Sequence, residues 1–225
     1  MLNRIRKAIT VFPMLATLPR VKYSSDSEHV VNFVMQYPLI RPGQIRSEFS
    51  QLASIIQQRR PKAAMEIGTL RGGTLFALCR LADPSATIIS LDLPRGPFGG
   101  GYAWFQIPLL RRFAGPEQTL SLIRGNSHED ASKDGVRVAL GGKQLDVLFI
   151  DGDHTYDGVK RDFEMYSPFV KRGGLIAFHD IVDHPPETGC EVNRFWNEIK
   201  RNFHHVEIVS QPSQGWAGIG VLTYS

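Results

Sequence analysis

Cysteine is scarce in this chain. Cys79 and Cys190 are the only two in 225 residues, and their separation suits neither a disulfide framework nor a thiolate metal cluster. A reducing, cytoplasmic setting fits that usage best. No apolar run approaches the roughly 18 residues that a membrane span requires, so the expectation is a soluble or peripheral protein. Internal repeats are missing as well. So are a G-x-G-x-x-G turn and a lysine in a G-K-[ST] setting, which counts against dinucleotide and triphosphate binding. No G-x-S-x-G elbow offers a serine nucleophile. Nor is there much excess charge: of 26 basic residues, Arg4, Arg6, Lys7, Arg20 and Lys22 precede the first acid, Asp26, and the rest balance the 22 acids almost evenly. The basic balance therefore belongs to the N-terminus and gives little support to nucleic-acid binding, which needs cations gathered on a folded face.

What is present is a globular composition, with 42% hydrophobic and 21% charged residues, enough to bury one sizeable core. Residues 1–25 read as a basic arm ahead of one domain over residues 26–225. The arm has the basic start and apolar middle of a signal peptide, but Pro13 interrupts that middle and no A-x-A cleavage site follows. A peripheral membrane anchor, a partner-docking arm and a frayed terminus are the readings left open for it.

Beyond the arm, short apolar runs alternate with helical patterns. Pro42 to Arg60 is an amphipathic helix by its spacing of Ile45, Phe49, Leu52, Ile55 and Ile56. Buried parallel strands are expected at Ala63 to Ile67, Thr87 to Leu91, Leu120 to Ile123, Val147 to Ile150 and Leu175 to Phe178. Helices are expected at Thr74 to Leu81, His128 to Val138 and Gly158 to Val170. The last two apolar runs, Val206 to Ser210 and Ile219 to Tyr224, are joined too tightly for a crossover helix and should pair antiparallel. The pattern predicts a doubly wound, Rossmann-like α/β fold, a mostly parallel seven-stranded sheet with an antiparallel C-terminal strand.

After the second strand, Pro94 to Gly101 is too rich in glycine and proline for regular structure, and Tyr102, Trp104 and Phe105 follow at once. Such a loop is either a lid over a ligand or a connection whose aromatics pack on the sheet edge.

Ligands of open parallel sheets bind beyond the carboxyl ends of the strands, so the residues there carry the functional reading. Glu66-Ile67-Gly68-Thr69-Leu70-Arg71-Gly72-Gly73-Thr74 follows the first strand, its glycines allowing a tight turn and close backbone approach. Asp92 ends the second strand, where a carboxylate can accept hydrogen bonds from ribose hydroxyls. Gly125-Asn126-Ser127-His128 follows the third, Asp151-Gly152-Asp153-His154 the fourth, and His179-Asp180 the fifth.

The pattern E-x-G-x-x-x-G-G-T resembles the first motif of class I S-adenosylmethionine-dependent methyltransferases. The run LDVLFIDGDHTYDGVKRDFEMYSPFVKRGGLIAFHDI resembles the metal-dependent small-molecule O-methyltransferases that include catechol and macrolide-sugar enzymes. The resemblance covers roughly Lys62 to Tyr224. It implies that Glu66, Gly68, Thr69, Gly72, Gly73 and Thr74 cradle the methionine part of S-adenosylmethionine, that Asp92 holds its ribose, and that Ser127 with His128 meets its adenine. By the same resemblance Asp151, shared with the cofactor site, holds a divalent cation together with Asp180, and His179 is either a third ligand or the residue that orients Asp180. The acceptor would be a hydroxyl of a sugar or glycosylated metabolite, with His154, or Asp153 if the histidine points away, taking its proton.

Two features depart from that family. Its members usually carry two acids, or Asp-Asn, where this chain has His179-Asp180, and imidazole suits zinc, iron or nickel better than the magnesium that the resemblance implies. The catechol and caffeoyl branches carry lysine where His154 stands, and a neutral histidine keeps a base available near pH 7. Plainer readings stand beside these. Asp151 and Asp153 can serve as helix caps, His179 as a core histidine, and His184, His204 and His205 as surface or structural residues. Phe195 and Trp196 read as core, and Trp216 as either a packing or an acceptor-site residue. The competing function is a non-catalytic cofactor-binding or scaffold protein of an envelope-polysaccharide or secondary-metabolite pathway. Self-association stays open.

Overall fold

The computed structural model describes residues 26–211 and 213–225; the basic arm and its membrane or partner contact lie outside them. Two helices open the described chain, α1 (Ser27–Gln36) and α2 (Arg46–Arg59), followed by β1 (Ala63–Ile67), α3 (Gly73–Leu81) and β2 (Thr87–Asp92). The chain continues through a short α4 (Ile107–Leu110), β3 (Thr119–Arg124), α5 (Asp130–Leu140), β4 (Leu145–Ile150), α6 (Tyr156–Tyr166), β5 (Val170–His179), α7 (Val192–Ile199), β6 (His204–Ile208) and β7 (Ile219–Thr223).

The strands form one sheet in the order β3-β2-β1-β4-β5-β7-β6. The first five are parallel; β7 runs antiparallel to both β5 and β6. This is the doubly wound arrangement that the sequence predicts, including the antiparallel closing pair. Side chains alternate between the faces of a strand, and each face has its own core. Ala64, Ile88, Val147 and Phe149 point toward α1, α2 and α3. Met65, Ile67, Ile89, Leu148 and Ile150 point toward α5, α6 and α7.

Several boundaries differ from those expected. The helix α1 carries no sequence expectation; its Val30, Val31 and Val34 are fully buried against α2 and α3, packing that outweighs the modest helix propensity of valine. The α2 helix begins at Arg46 rather than Pro42, leaving Pro42, Gly43 and Gln44 as a loop at the sheet's carboxyl edge. Strand β5 starts five residues earlier than expected, through exposed Lys171, Arg172 and Gly173, with a bulge against β4. Strand β6 is displaced two residues toward the N-terminus, and α6 ends at Tyr166 before Pro168.

Register decides where the chemistry collects. Ile67 pairs with Leu91 and with Ile150, and Ile150 pairs with Phe178. The next residues, Gly68, Asp92, Asp151 and His179, therefore stand in one row along the carboxyl edge. The chain turns toward β2 after β1 and crosses back to β4 after β3, so the row spans the point where the winding reverses and a crevice opens.

Candidate active site

The crevice is a cavity of about 500 Å³ that takes in the residues of all five parallel strand ends. Its floor is the turn after β1. Gly68 has φ +88°, and a Cβ there would lie 1.9 Å from the Asp151 carbonyl oxygen. Only glycine lets β1 leave the sheet so close to β4. Gly72 has φ +88° and caps α3. Gly73 abuts the Ile40 carbonyl and Pro42, so a side chain there would push away the loop before α2.

Glu66 lies fully buried below this turn. Burial pushes its carboxyl up to about 8, the hydroxyls of Thr69 and Thr74 only partly offsetting it, and neither makes a hydrogen bond of good geometry to its oxygens. It is mostly protonated at neutral pH. Thr69 Oγ1 is instead 2.6 Å from Ser90 Oγ. Asp92 is buried, and its Oδ2 accepts from the backbone N–H of Leu70 at 3.1 Å and of Tyr102 at 2.9 Å. One acid thus ties the glycine turn to the loop after β2. Burial raises its pKa and these backbone donors oppose the rise.

On the β3 side, Ser127 is buried, and its carbonyl accepts a 2.7 Å hydrogen bond from the Tyr166 hydroxyl. His128 Nε2 lies 3.3 Å from the buried Asp162 carboxylate and 3.2 Å from the Gly158 carbonyl. The hydrogen bond that His128 donates to Asp162 raises its pKa against the effect of burial. Both expected adenine-side residues therefore line the cavity while gripped from behind by α6.

The ends of β4 and β5 form a compact polar cluster. Asp151 Oδ1 is 3.2 Å from His179 Nδ1 and 3.5 Å from His154 Nε2, while Asp180 Oδ2 is 3.2 Å from His179 Nδ1 and 3.1 Å from His154 Nδ1. Burial opposes charge on the imidazoles, yet the two carboxylates outweigh it and push His154 up to about 11 and His179 up to about 10. The imidazoles in turn hold Asp151 and Asp180 below the usual carboxylate range despite their burial. Asp151, His179 and Asp180 each present one ligand atom within 4.8 Å of the others, as do His154, Asp180 and Cys190. Nitrogen and oxygen donors so placed suit a divalent cation.

Asp153 stands apart from that cluster. Its Oδ1 accepts from the N–H and hydroxyl of Thr155, and it is the Thr155 hydroxyl that caps α6; neither Asp151 nor Asp153 is the cap that the sequence offered, and Asp153 braces the residue that is. The loop after β2 divides between its two readings. Phe98 stacks on His154, Tyr102 is buried beside Asp92, and Trp104 and Phe105 are 72% and 64% exposed. Trp216 lies at the cavity rim, 47% exposed. Phe195 and Trp196 are core residues, and His204 and His205 are exposed.

Two cluster members escape sequence reasoning. Gln44 Nε2 donates to Asp151 Oδ2 at 2.7 Å, and His184, expected at the surface or in a structural role, is half-buried with Nε2 3.1 Å from Asp180 Oδ1. The separation of 107 residues hides Gln44 from any local pattern. The spacing of His184 from Asp180 is a signal of sorts, but Pro185 and Pro186 make that stretch read as a loop.

A family model described as a methyltransferase domain matches residues 65–181. Among curated proteins, an uncharacterised protein of Acanthamoeba polyphaga mimivirus is 41% identical over 58 residues, 25% of this chain and 26% of that protein, so the match spans about a quarter of that relative. Among solved structures, the O-methyltransferase TomG of Streptomyces achromogenes, from tomaymycin synthesis and in complex with S-adenosylmethionine, superposes with a TM-score of 0.57 at 15% identity over 89% of this chain and 91% of its own. MycE, a methyltransferase of mycinamycin biosynthesis in complex with magnesium, S-adenosylhomocysteine and mycinamycin VI, superposes with a TM-score of 0.55 at 16% identity over 88% of this chain and 54% of its own.

Proposed function

Since the chain belongs to the methyltransferase-domain family, we propose that it transfers the methyl group of S-adenosylmethionine to a hydroxyl of a small molecule, a sugar or glycosylated metabolite, with the aid of a divalent cation. The observation that carries the reading is the convergence, in one cavity, of the Gly68 turn with the Asp151, His154, His179 and Asp180 cluster.

The donor set fits both groups. The turn presents glycine backbone that a side chain could not replace, with the neutral Glu66 beneath it, and Asp92 keeps a second carboxylate oxygen for ribose hydroxyls while Oδ2 holds the turn. Ser127 and His128, which line the same cavity, would border the adenine end. Asp151 and Asp180, with His179, would hold the cation. The sulfonium supplies an activated methyl group and the cation lowers the acceptor hydroxyl's pKa.

The remaining work falls to side chains. Transfer forms a carbon–oxygen bond as the carbon–sulfur bond breaks, and the hydroxyl proton must leave. His154 is the side chain to which this reading assigns that proton. The Asp151 and Asp180 carboxylates hold His154 well above the usual imidazole range; a cation held by those carboxylates would weaken that hold. Phe98 stacks on one face of that ring. Proximity and orientation supply most of the rate in such a displacement.

Incubation with labelled S-adenosylmethionine and a panel of nucleotide sugars tests the reading. Label should move to an acceptor and the transfer should fall on chelation. Cofactor binding with no transfer under any cation would instead favour the scaffold alternative.

A further inference from the structure

We propose that the cation of this site is a borderline transition ion of the zinc, iron or cobalt class rather than magnesium. It would be held by Asp151 Oδ1, His179 Nδ1 and Asp180 Oδ2, with Gln44 and His184 as positioning residues for the two carboxylates. The proposal rests on the metal-assisted reading above and goes further, to the ion's class and to what selects it.

The first argument is directional. Each carboxylate offers the cluster a single oxygen because its other oxygen is engaged. Gln44 Nε2 donates to Asp151 Oδ2 at 2.7 Å, and His184 Nε2 is 3.1 Å from Asp180 Oδ1. His184 is anchored in turn, its Nδ1 2.9 Å from the Val182 carbonyl. Partners on the far oxygen are how proteins fix a ligand's orientation. Neither partner takes part in a helix or strand, so neither contact follows from secondary structure.

The second is spacing. Both carboxylate oxygens lie 3.2 Å from His179 Nδ1. Two ligands bound at about 2.1 Å to one ion stand about 3.0 Å apart at a right angle and about 3.4 Å apart at the tetrahedral angle. The observed edges fall between those values.

The third is backbone conformation. Consecutive strand residues point to opposite faces, which would separate His179 from Asp180. Asp180 instead adopts φ +63°, in the left-handed region, and its carboxylate turns back to meet the imidazole of its neighbour. A strained backbone at a cluster of ligand atoms marks a functional constraint.

A metal-free hydrogen-bonded cluster is the rival account, and the cobalt titration below separates the two. Magnesium, for its part, prefers oxygen donors and retained water, whereas imidazole favours the later transition ions. The resulting site, two oxygens and one nitrogen, leaves room for acceptor oxygens.

The test uses full-length protein freed of metal by chelation, titrated with cobalt(II) and followed by visible absorption, with S-adenosylmethionine affinity measured by calorimetry on the same preparation. We expect one cobalt per chain, displacement by zinc, and displacement by magnesium only at about a hundredfold excess or more. His179→Asn should lose the cobalt spectrum, and His184→Ala should weaken cobalt binding about 10- to 100-fold with the band shape retained. If the variants fail to fold, the competition in the unaltered protein still decides. Displacement by magnesium near equal concentration, or no cobalt spectrum in protein that binds the cofactor, would overturn the proposal. Absence of cofactor binding would strike the methyltransferase reading, while the cobalt competition would still decide this one.

Discussion

Phe98 lies flat on His154, ring centroids 4.7 Å apart and planes inclined by 10°. The contact joins the loop after β2 to the start of the segment leading into α6, across the mouth of the cavity. Stacked rings contribute about 0.5–1.5 kcal/mol beyond the area they bury. Phe98→Ala should therefore lower the rate of methyl transfer by up to about tenfold and speed protease nicking between Gly96 and Phe105, with little effect on cofactor affinity. Limited proteolysis beside a steady-state assay reads both; unchanged nicking would show that the ring packs on the imidazole without restraining the loop.

Asp92 has two tasks, and they can be separated. Its Oδ2 holds Leu70 and Tyr102 through their N–H groups, while its other oxygen is the proposed ribose acceptor. Asp92→Ala should weaken S-adenosylmethionine binding by about 1–3 kcal/mol. Asp92→Asn, which keeps an oxygen for the backbone donors, should recover the loop's protease resistance but only part of the affinity. Calorimetry on the two variants checks this, and equal affinity for all three proteins would remove Asp92 from the cofactor site.

How much of this was legible in the sequence follows from how each feature is made. Strands β1, β2 and β4 are short apolar runs because both faces are buried; Gly68 and Asp151 follow β1 and β4, and Asp92 ends β2, so each run leads to a residue the row needs. Helix α1 was not legible, because three buried valines at its core positions do not announce a helix; α2 and α3 impose it. The first half of β5 was hidden because Lys171, Arg172 and Gly173 are exposed and form no apolar run. Gln44 and His184 reach the cluster only through the fold. The sequence puts His179 beside Asp180 after the fifth apolar run without choosing among its readings, and its convergence with Asp180 depends on the left-handed Asp180 backbone, which no spacing encodes.

Glu66 makes stability depend on pH in a stated direction. Its carboxyl is pushed up to about 8 by burial, against an unfolded value of about 4.3. Between these values the folded protein holds a proton that the unfolded chain releases, so stability falls as pH rises through that window and levels off above about 8. Glu66→Gln mimics the protonated acid at every pH. Urea unfolding of the metal-free and cofactor-free protein should give similar stabilities for the two at pH 5, and a variant more stable than the parent by several kcal/mol at pH 9. A variant less stable at both pH values would mean that Glu66 is ionised and paired in the fold.

Gly68 links the turn to the cluster through bare backbone, and a single methyl group should show it. Gly68→Ala places a Cβ 1.9 Å from the Asp151 carbonyl oxygen at φ +88°. The backbone cost alone is about 1–2 kcal/mol, and the collision adds to it by pushing the end of β4 away from β1. Gly141 is the control, because it has φ +55° at the end of α5 and, among the described residues, nothing within 4 Å of its Cβ position. Gly141→Ala should incur the backbone cost only. With a domain of this size losing about 2–4 °C of melting temperature per kcal/mol, Gly68→Ala should melt lower than Gly141→Ala by several degrees. It should also weaken cobalt binding, which Gly141→Ala should not, because the displaced residue is the one that carries the Asp151 carboxylate. Equal melting temperatures together with equal cobalt affinity would mean that the chain can retract at Asp151 freely, and that the close approach of β1 and β4 does not position the site.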